Sequence, residues 1–165
     1  MNSSALYNFN APTWEMLPDI DLYMDQVLAL SEKHFGVFSD SSEVGITSSM
    51  LNNYVKQKVV PSPDKKRYNK EHLARFLMIC ILKRVLSIAK IKQLFDSLFA
   101  KYTVRDIYEI FSNELDCVLH SLADKEPMVQ PDSTDSDILA LKYAVRSFAY
   151  MIFSELHMNC KNENE

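Results

Sequence analysis

Residues 47–76, TSSMLNNYVKQKVVPSPDKKRYNKEHLARF, decide how the chain is read, because helical periodicity and positive charge meet there. With Thr47 as N-cap and a step of about 100° per residue, Met50, Leu51, Tyr54 and Val55 share one side of a helix. Ser48, Ser49, Asn52, Asn53 and Lys56 share the other. That outer face hydrogen-bonds rather than pairs ions, which suits an element meeting base edges or phosphates. Val59, Val60 and Pro61 end the periodicity, since proline pushes the residue before it towards extended geometry. Pro63 and Asp64 are turn residues, so Lys65, Lys66 and Arg67 are expected at the tip of a short hairpin ending at Tyr68, with Asn69 capping the next helix. A polar-faced helix, a basic hairpin and a long apolar helix, in that order, make the layout of a winged helix-turn-helix.

At these residues the chain resembles mercury-resistance-regulator (MerR) type transcription factors. The resemblance rests on residues 46–54, on Val59-Val60-Pro61, and on Arg67-Tyr68 with Leu73 opening a helix. LPDIDLYMDQVL together with NNYVKQKVVPSPDKKRY is similar to a family of small, functionally uncharacterised bacterial proteins. The likeness covers residues 17–95 and is best at 46–73. It implies a winged-helix fold, double-stranded DNA as ligand and dimeric binding to two half-sites. The wing is shorter than in typical members, and no compact helix stands just before Gly45. Lys58 occupies the place where a glycine usually closes the recognition helix, so a less tightly turned helix end is expected.

Length and composition fit this reading. The 165 residues suffice for one domain or two small ones, and two glycines with helical apolar periods throughout predict a mainly α protein. Glycine-rich phosphate loops are excluded. The net charge of −4 hides an asymmetry: residues 54–92 hold 11 of the 18 Lys and Arg but 2 of the 22 acids. Such a segment confines attraction for a polyanion to one face, whereas a chance charged face would mix signs. Cys80, Cys117 and Cys160 are odd in number, far apart and without a CxxC pair, so they read as reduced thiols. MNSSALYNFNAPTWEM has neither a charged n-region nor an apolar run, and Lys142, Arg146 and Glu155 interrupt the longest apolar stretch. Neither a signal peptide nor a membrane span is expected, and cytoplasmic residence follows by elimination.

Four regions are expected: an arm (1–16), a MerR-like winged-helix DNA-binding domain (17–95), an all-α dimerisation or sensing region (96–158) and a disordered tail (159–165). The arm carries Tyr7, Phe9 and Trp14 to pack on the body or a partner. Asp19 is the expected cap of a first helix holding Ile20, Tyr23, Met24, Val27 and Leu28, and a connection of residues 36–43 joins it to the next. Ser87 and Thr103 cap later helices, residues 125–137 form an acidic linker mobile in its middle, and Ser136 or Asp137 caps the last helix. That last helix carries a main stripe of Ile138, Leu141, Val145, Phe148 and Ile152 with a shoulder of Leu139, Tyr143 and Tyr150. Its two apolar faces need two partners: one within the chain, the other a second subunit or a small-molecule pocket.

No catalytic constellation emerges. His34, His72, His120 and His157 lie far apart, with His72 expected on the exposed flank of its helix. Cys117 stands three residues from His120 without a third group to orient the imidazole. The expectation is a non-enzymatic DNA-binding transcriptional regulator acting as a homodimer, without cofactor or metal and with any small-molecule effector unidentified. Thr47, Ser48, Ser49, Asn52, Asn53, Tyr54, Lys56, Lys58, Lys65, Lys66, Arg67 and Tyr68 form its DNA-binding set. The alternative is a helical interaction module whose basic face binds an acidic protein.

Overall fold

The long apolar helix expected after the Asn69 cap is the axis of the molecule. In the computed structural model, which describes residues 8–38 and 46–159, it runs from Lys70 to Leu82 as α3. Before it come α1 (Met24–Phe35) and α2 (Ser48–Lys56); after it α4 (Ile88–Phe99), α5 (Val104–Asp124) and α6 (Ser136–Asn159). Single 3₁₀ turns lie at Trp14–Met16 and Gly36–Phe38. Within α3, Leu73, Phe76, Leu77, Met78, Ile79 and Leu82 are sealed from solvent, because the helix packs on α1, α5 and α6 together. Burying each such side chain contributes about 1.5–3 kcal/mol. The mainly α class expected from the sequence is what the chain builds.

Local capping sets most helix starts. Oxygens of Thr47, Asn69, Ser87 and Thr103 accept the N–H groups of Met50, His72, Lys90 and Asp106 at 3.1–3.3 Å. Each cap is worth about 1 kcal/mol. Two starts differ from expectation. Asp19 does not begin α1, which opens at Met24 behind an extended Tyr23. The segment before Met24 is extended instead, held by an antiparallel bridge in which Leu22 and Tyr68 exchange both N–H to C=O bonds at 2.8 Å. At α6, Asp135 rather than Ser136 or Asp137 is the acceptor, taking the N–H groups of Asp137 and Ile138.

The stranded wing is not formed. Among the described residues there is no strand, only the Leu22–Tyr68 bridge and a second one, Asp64–Arg67, closing a four-residue turn. The reason lies in Pro61 and Pro63: neither has an N–H to donate, so no ladder can extend back from the turn.

One hydrophobic cluster runs from Phe9 to Leu156. The expected boundary between 95 and 96 falls inside α4, and α3 from one side of it packs on α5 and α6 from the other. The described part of the arm packs on the body: Tyr108 Oη donates to the Pro12 carbonyl at 2.9 Å, and Phe9 stacks among Phe35 and Phe38. The linker is fastened by α6, with Arg146 Nη1 donating to the Val129 carbonyl at 2.6 Å and Lys142 Nζ to that of Asp132 at 3.1 Å. Arg146 also holds Glu114 across the α5–α6 contact, both nearly buried. Tyr7, the Ser39–Ser42 run, Gly45, Cys160 and residues 161–165 lie outside the described residues. Among the described residues no helix is long and apolar enough to cross a membrane.

Candidate nucleic-acid interface

The α2 face forms as its periodicity predicts. Leu51 and Tyr54 are buried, while Ser48, Ser49, Asn52, Asn53 and Lys56 are exposed. Thr47 is half-buried, its hydroxyl spent on the Met50 N–H.

The helix end departs from expectation. Lys58 enters the left-handed region at φ 57° and closes α2 as tightly as a glycine would. The Val59 N–H reaches back to the Tyr54 carbonyl at 3.0 Å and the Lys58 N–H to that of Val55 at 3.0 Å. Buried Val59 and Val60 anchor the chain as it leaves. Hydrophobic anchoring after the cap overrides the lysine's dislike of this conformation.

Lys65 and Lys66 are also left-handed, at φ 45° and 63°. Positive φ at both central positions, with the Arg67 N–H donating to the Asp64 carbonyl at 2.7 Å, is the pattern of a type I′ turn. Asn-Gly is its usual sequence; here it is Lys-Lys. Six residues separate Lys58 from Lys65, and seven Cα steps keep the two within about 25 Å of each other.

Lys56, Lys58, Lys65 and Lys66 are exposed, and among the described residues none has a carboxylate partner. Lys70, Lys92, Lys101 and Lys142 do: they pair with Asp19, Asp96, Asp135 with Asp137, and Glu114. Arg67 is exposed but engaged. Its guanidinium lies 4.9 Å from the Tyr23 ring centre and donates to Tyr23 Oη at 2.9 Å. This partnership is not legible in the sequence, because Tyr23 fits the apolar period of α1; the Leu22–Tyr68 bridge places it beside the turn. Lys70 similarly stands 5.1 Å over the Trp14 ring.

Two members of the expected set belong to the core instead. Tyr54 and Tyr68 are 4% and 3% exposed, and burial pushes both phenols above their ordinary pKa. Tyr54 lies on the inner side of α2, and Tyr68 packs edge-on against Phe76 and His72. Their role is support.

His72 is half-buried rather than on an exposed flank. Its Nδ1 lies 2.6 Å from Asn69 Oδ1 and 3.2 Å from the Asn69 backbone nitrogen, while Nε2 is buried near the backbone of Pro61 and Ser62 without a closed hydrogen bond. Desolvation lowers its pKa, with Arg75 adding to the effect, against smaller raising contributions from that backbone and from Glu71. The ring thus joins the segment leaving α2 to the residue that ends the turn. Cys80, in the apolar run, has its thiol pushed up to about 12 by burial and is inert; Cys117 is exposed. Among the described residues, no three His, Cys, Asp or Glu gather closely enough to hold a metal.

Fold and surface define a mainly α protein with an amide and hydroxyl helix face that ends in Lys56 and Lys58, lysines without a carboxylate partner among the described residues. The chain belongs to the family described as Domain of unknown function (DUF1836), whose sequence model matches residues 12–111. That span contains every residue of the candidate interface. No curated protein and no solved structure matches the chain.

Proposed function

We propose that this is a sequence-specific, double-stranded DNA-binding transcriptional regulator acting as a dimer in the cytoplasm, with α2 addressing the major groove in a MerR-like manner. The observation that carries the reading is the α2 surface: Ser48, Ser49, Asn52 and Asn53 are exposed, and Lys56 and Lys58 at its end, with Lys65 and Lys66 in the turn that follows, have no acid partner among the described residues. Asn52 and Asn53 offer amides able to pair bidentately with an adenine edge, a contact worth about 1–3 kcal/mol of discrimination. Lys56, Lys58, Lys65 and Lys66 supply phosphate contacts, and two copies meeting grooves about 34 Å apart require a near-palindromic operator.

Selection of bound fragments from random duplex DNA tests this. An enriched inverted repeat, lost on Asn52→Ala or Asn53→Ala, is the expected outcome. Retention that depends on salt but not on sequence refutes operator reading. It leaves the second reading, an interaction module for an acidic protein, which the want of a stranded wing favours.

A further inference from the structure

Helix α6 breaks the ordinary pattern of a surface helix. Its exposed residues include Ala140, Tyr143, Ser147, Tyr150, Ser154 and His157, with Met158 beside the last, and none carries a fixed charge. The charges of α6 turn inward or sideways into pairs: Asp137 with Lys101, Lys142 and Arg146 with Glu114, Glu155 with Arg84. Each of the other helices exposes at least one charged side chain, such as Glu32, Lys56, Glu71, Lys90 and Arg105. Tyr143 and Tyr150 are 51% and 52% exposed.

The stripe also has a strict spacing. Ala140, Tyr143, Ser147, Tyr150, Ser154 and His157 alternate steps of three and four, the a/d repeat of a coiled-coil seam. Such a seam needs a second helix. A solvated face needs neither the spacing nor the want of charge.

We propose that two copies of this chain pair through this stripe, α6 against α6, in antiparallel orientation. Three arguments select the occupant. The stripe is self-complementary: in an antiparallel register Tyr150 faces the partner's Ser147, Tyr143 faces the partner's Ser154, and Ala140 faces the partner's His157. Every large side chain then meets a small one. A parallel pairing stacks tyrosine on tyrosine and serine on serine, leaving gaps at the serine layers. The second argument is charge: a chain of net −4 meets its own copy with least repulsion on a surface without carboxylates. The third is the cost of burial. Ser147 Oγ already donates to the Tyr143 carbonyl at 2.8 Å, so covering it orphans no donor, and the tyrosine hydroxyls reach the wet rim. The pairing names the surface of the proposed dimer and rests on that reading only for the number of copies. Its test uses no DNA, so either can fail alone.

Light scattering on the full-length protein should give twice 19.1 kDa, and Tyr150→Glu should halve that mass with the helical circular dichroism unchanged. Orientation is read by cross-linking in a Cys117→Ser, Cys160→Ser background. Tyr143→Cys combined with Ser154→Cys should join two chains on mild oxidation, and Ser154→Cys alone should not. A monomeric native chain, or a dimer that survives Tyr150→Glu, overturns the seam. Efficient cross-linking by Ser154→Cys alone overturns the antiparallel arrangement.

Discussion

Replacing Lys65-Lys66 by Asn-Gly should make the protein more stable and a poorer DNA binder. A lysine in the left-handed region costs about 1–2 kcal/mol relative to its preferred backbone. Asparagine tolerates that region and glycine is indifferent to it, but glycine loses about 0.5–1 kcal/mol more entropy on folding. For φ values of 45° and 63° the net gain is about 1–2 kcal/mol, or roughly 2–8 °C in Tm for a chain of this length. Asp64 and Arg67, which close the turn, stay in place. On DNA the same change removes two exposed ammonium groups. The slope of log K against log salt should then flatten by about 1.8 per protomer, near 3.6 for a dimer on two half-sites. Thermal unfolding followed by circular dichroism gives the first quantity, and fluorescence anisotropy at salt between about 50 and 200 mM gives the second. An unchanged or lower Tm refutes the stored strain, whereas an unchanged slope refutes phosphate contact by the turn.

Lys58→Gly should act in the same sense at the end of α2, raising stability by about 0.5–1 kcal/mol and reducing the salt slope by about 0.9 per protomer; denaturant unfolding and the same titration measure both. His72 governs a pH effect. Its folded pKa lies below the unfolded value of about 6.5, so the unfolded chain binds more protons and the stabilisation, complete above 6.5, is lost as pH falls through the folded value. His72→Gln should reduce the loss of Tm between about pH 7 and 5, and an unaltered pH profile would show the imidazole is not the group responsible. Glu114→Ala leaves Arg146 charged and nearly buried at the α5–α6 contact, which should cost about 3–5 kcal/mol by denaturant titration. Glu114→Leu with Arg146→Met should recover part of that, because the charge then left without Glu114 is that of Lys142, which is partly exposed and still donates to the Asp132 carbonyl.

What the sequence revealed was local. Thr47, Asn69, Ser87 and Thr103 cap within three residues of themselves, so the spelling of each helix start contains its own physics. The outward set of α2 was legible for the same reason, as a period within nine residues. The start of α1 was hidden, because what ends the extended segment there is Tyr68, 46 positions away from Leu22. That bridge also conceals Tyr23 as the partner of Arg67. The turn was visible in Pro63-Asp64 but its type was not, since nothing in Lys-Lys announces two positive φ values. The missing strands were more legible than the expected wing allowed: Pro61 and Pro63 already exclude a ladder. His72 looked exposed because helix periodicity gives no information about a loop that folds back over the first turn of α3.

The two surfaces that break the rules of folding do so in opposite ways, which separates their roles. Around α2 and the turn, four lysines stand close in sequence without carboxylate partners among the described residues, and three of the four occupy backbone that glycine would hold more comfortably. Lys70, Lys92, Lys101 and Lys142 are neutralised by acids, whereas Lys33, Lys90 and Lys125, exposed and also without a carboxylate partner among the described residues, are scattered along the chain rather than grouped. Along α6 the reverse holds: charges are drawn off into pairs with other helices, and the exposed stripe keeps tyrosine, serine and alanine. Neither arrangement follows from the stability of one chain, and rule-breaking of this kind concentrates at functional sites. A polyanion answers the first surface and an uncharged helix the second, so the two should be separable. Lys65→Asn with Lys66→Gly should leave the dimer mass unchanged, and Tyr150→Glu should halve the mass while leaving the salt slope per protomer intact. If disrupting α6 also abolished the contribution of the turn lysines to that slope, the two surfaces would have to be one site.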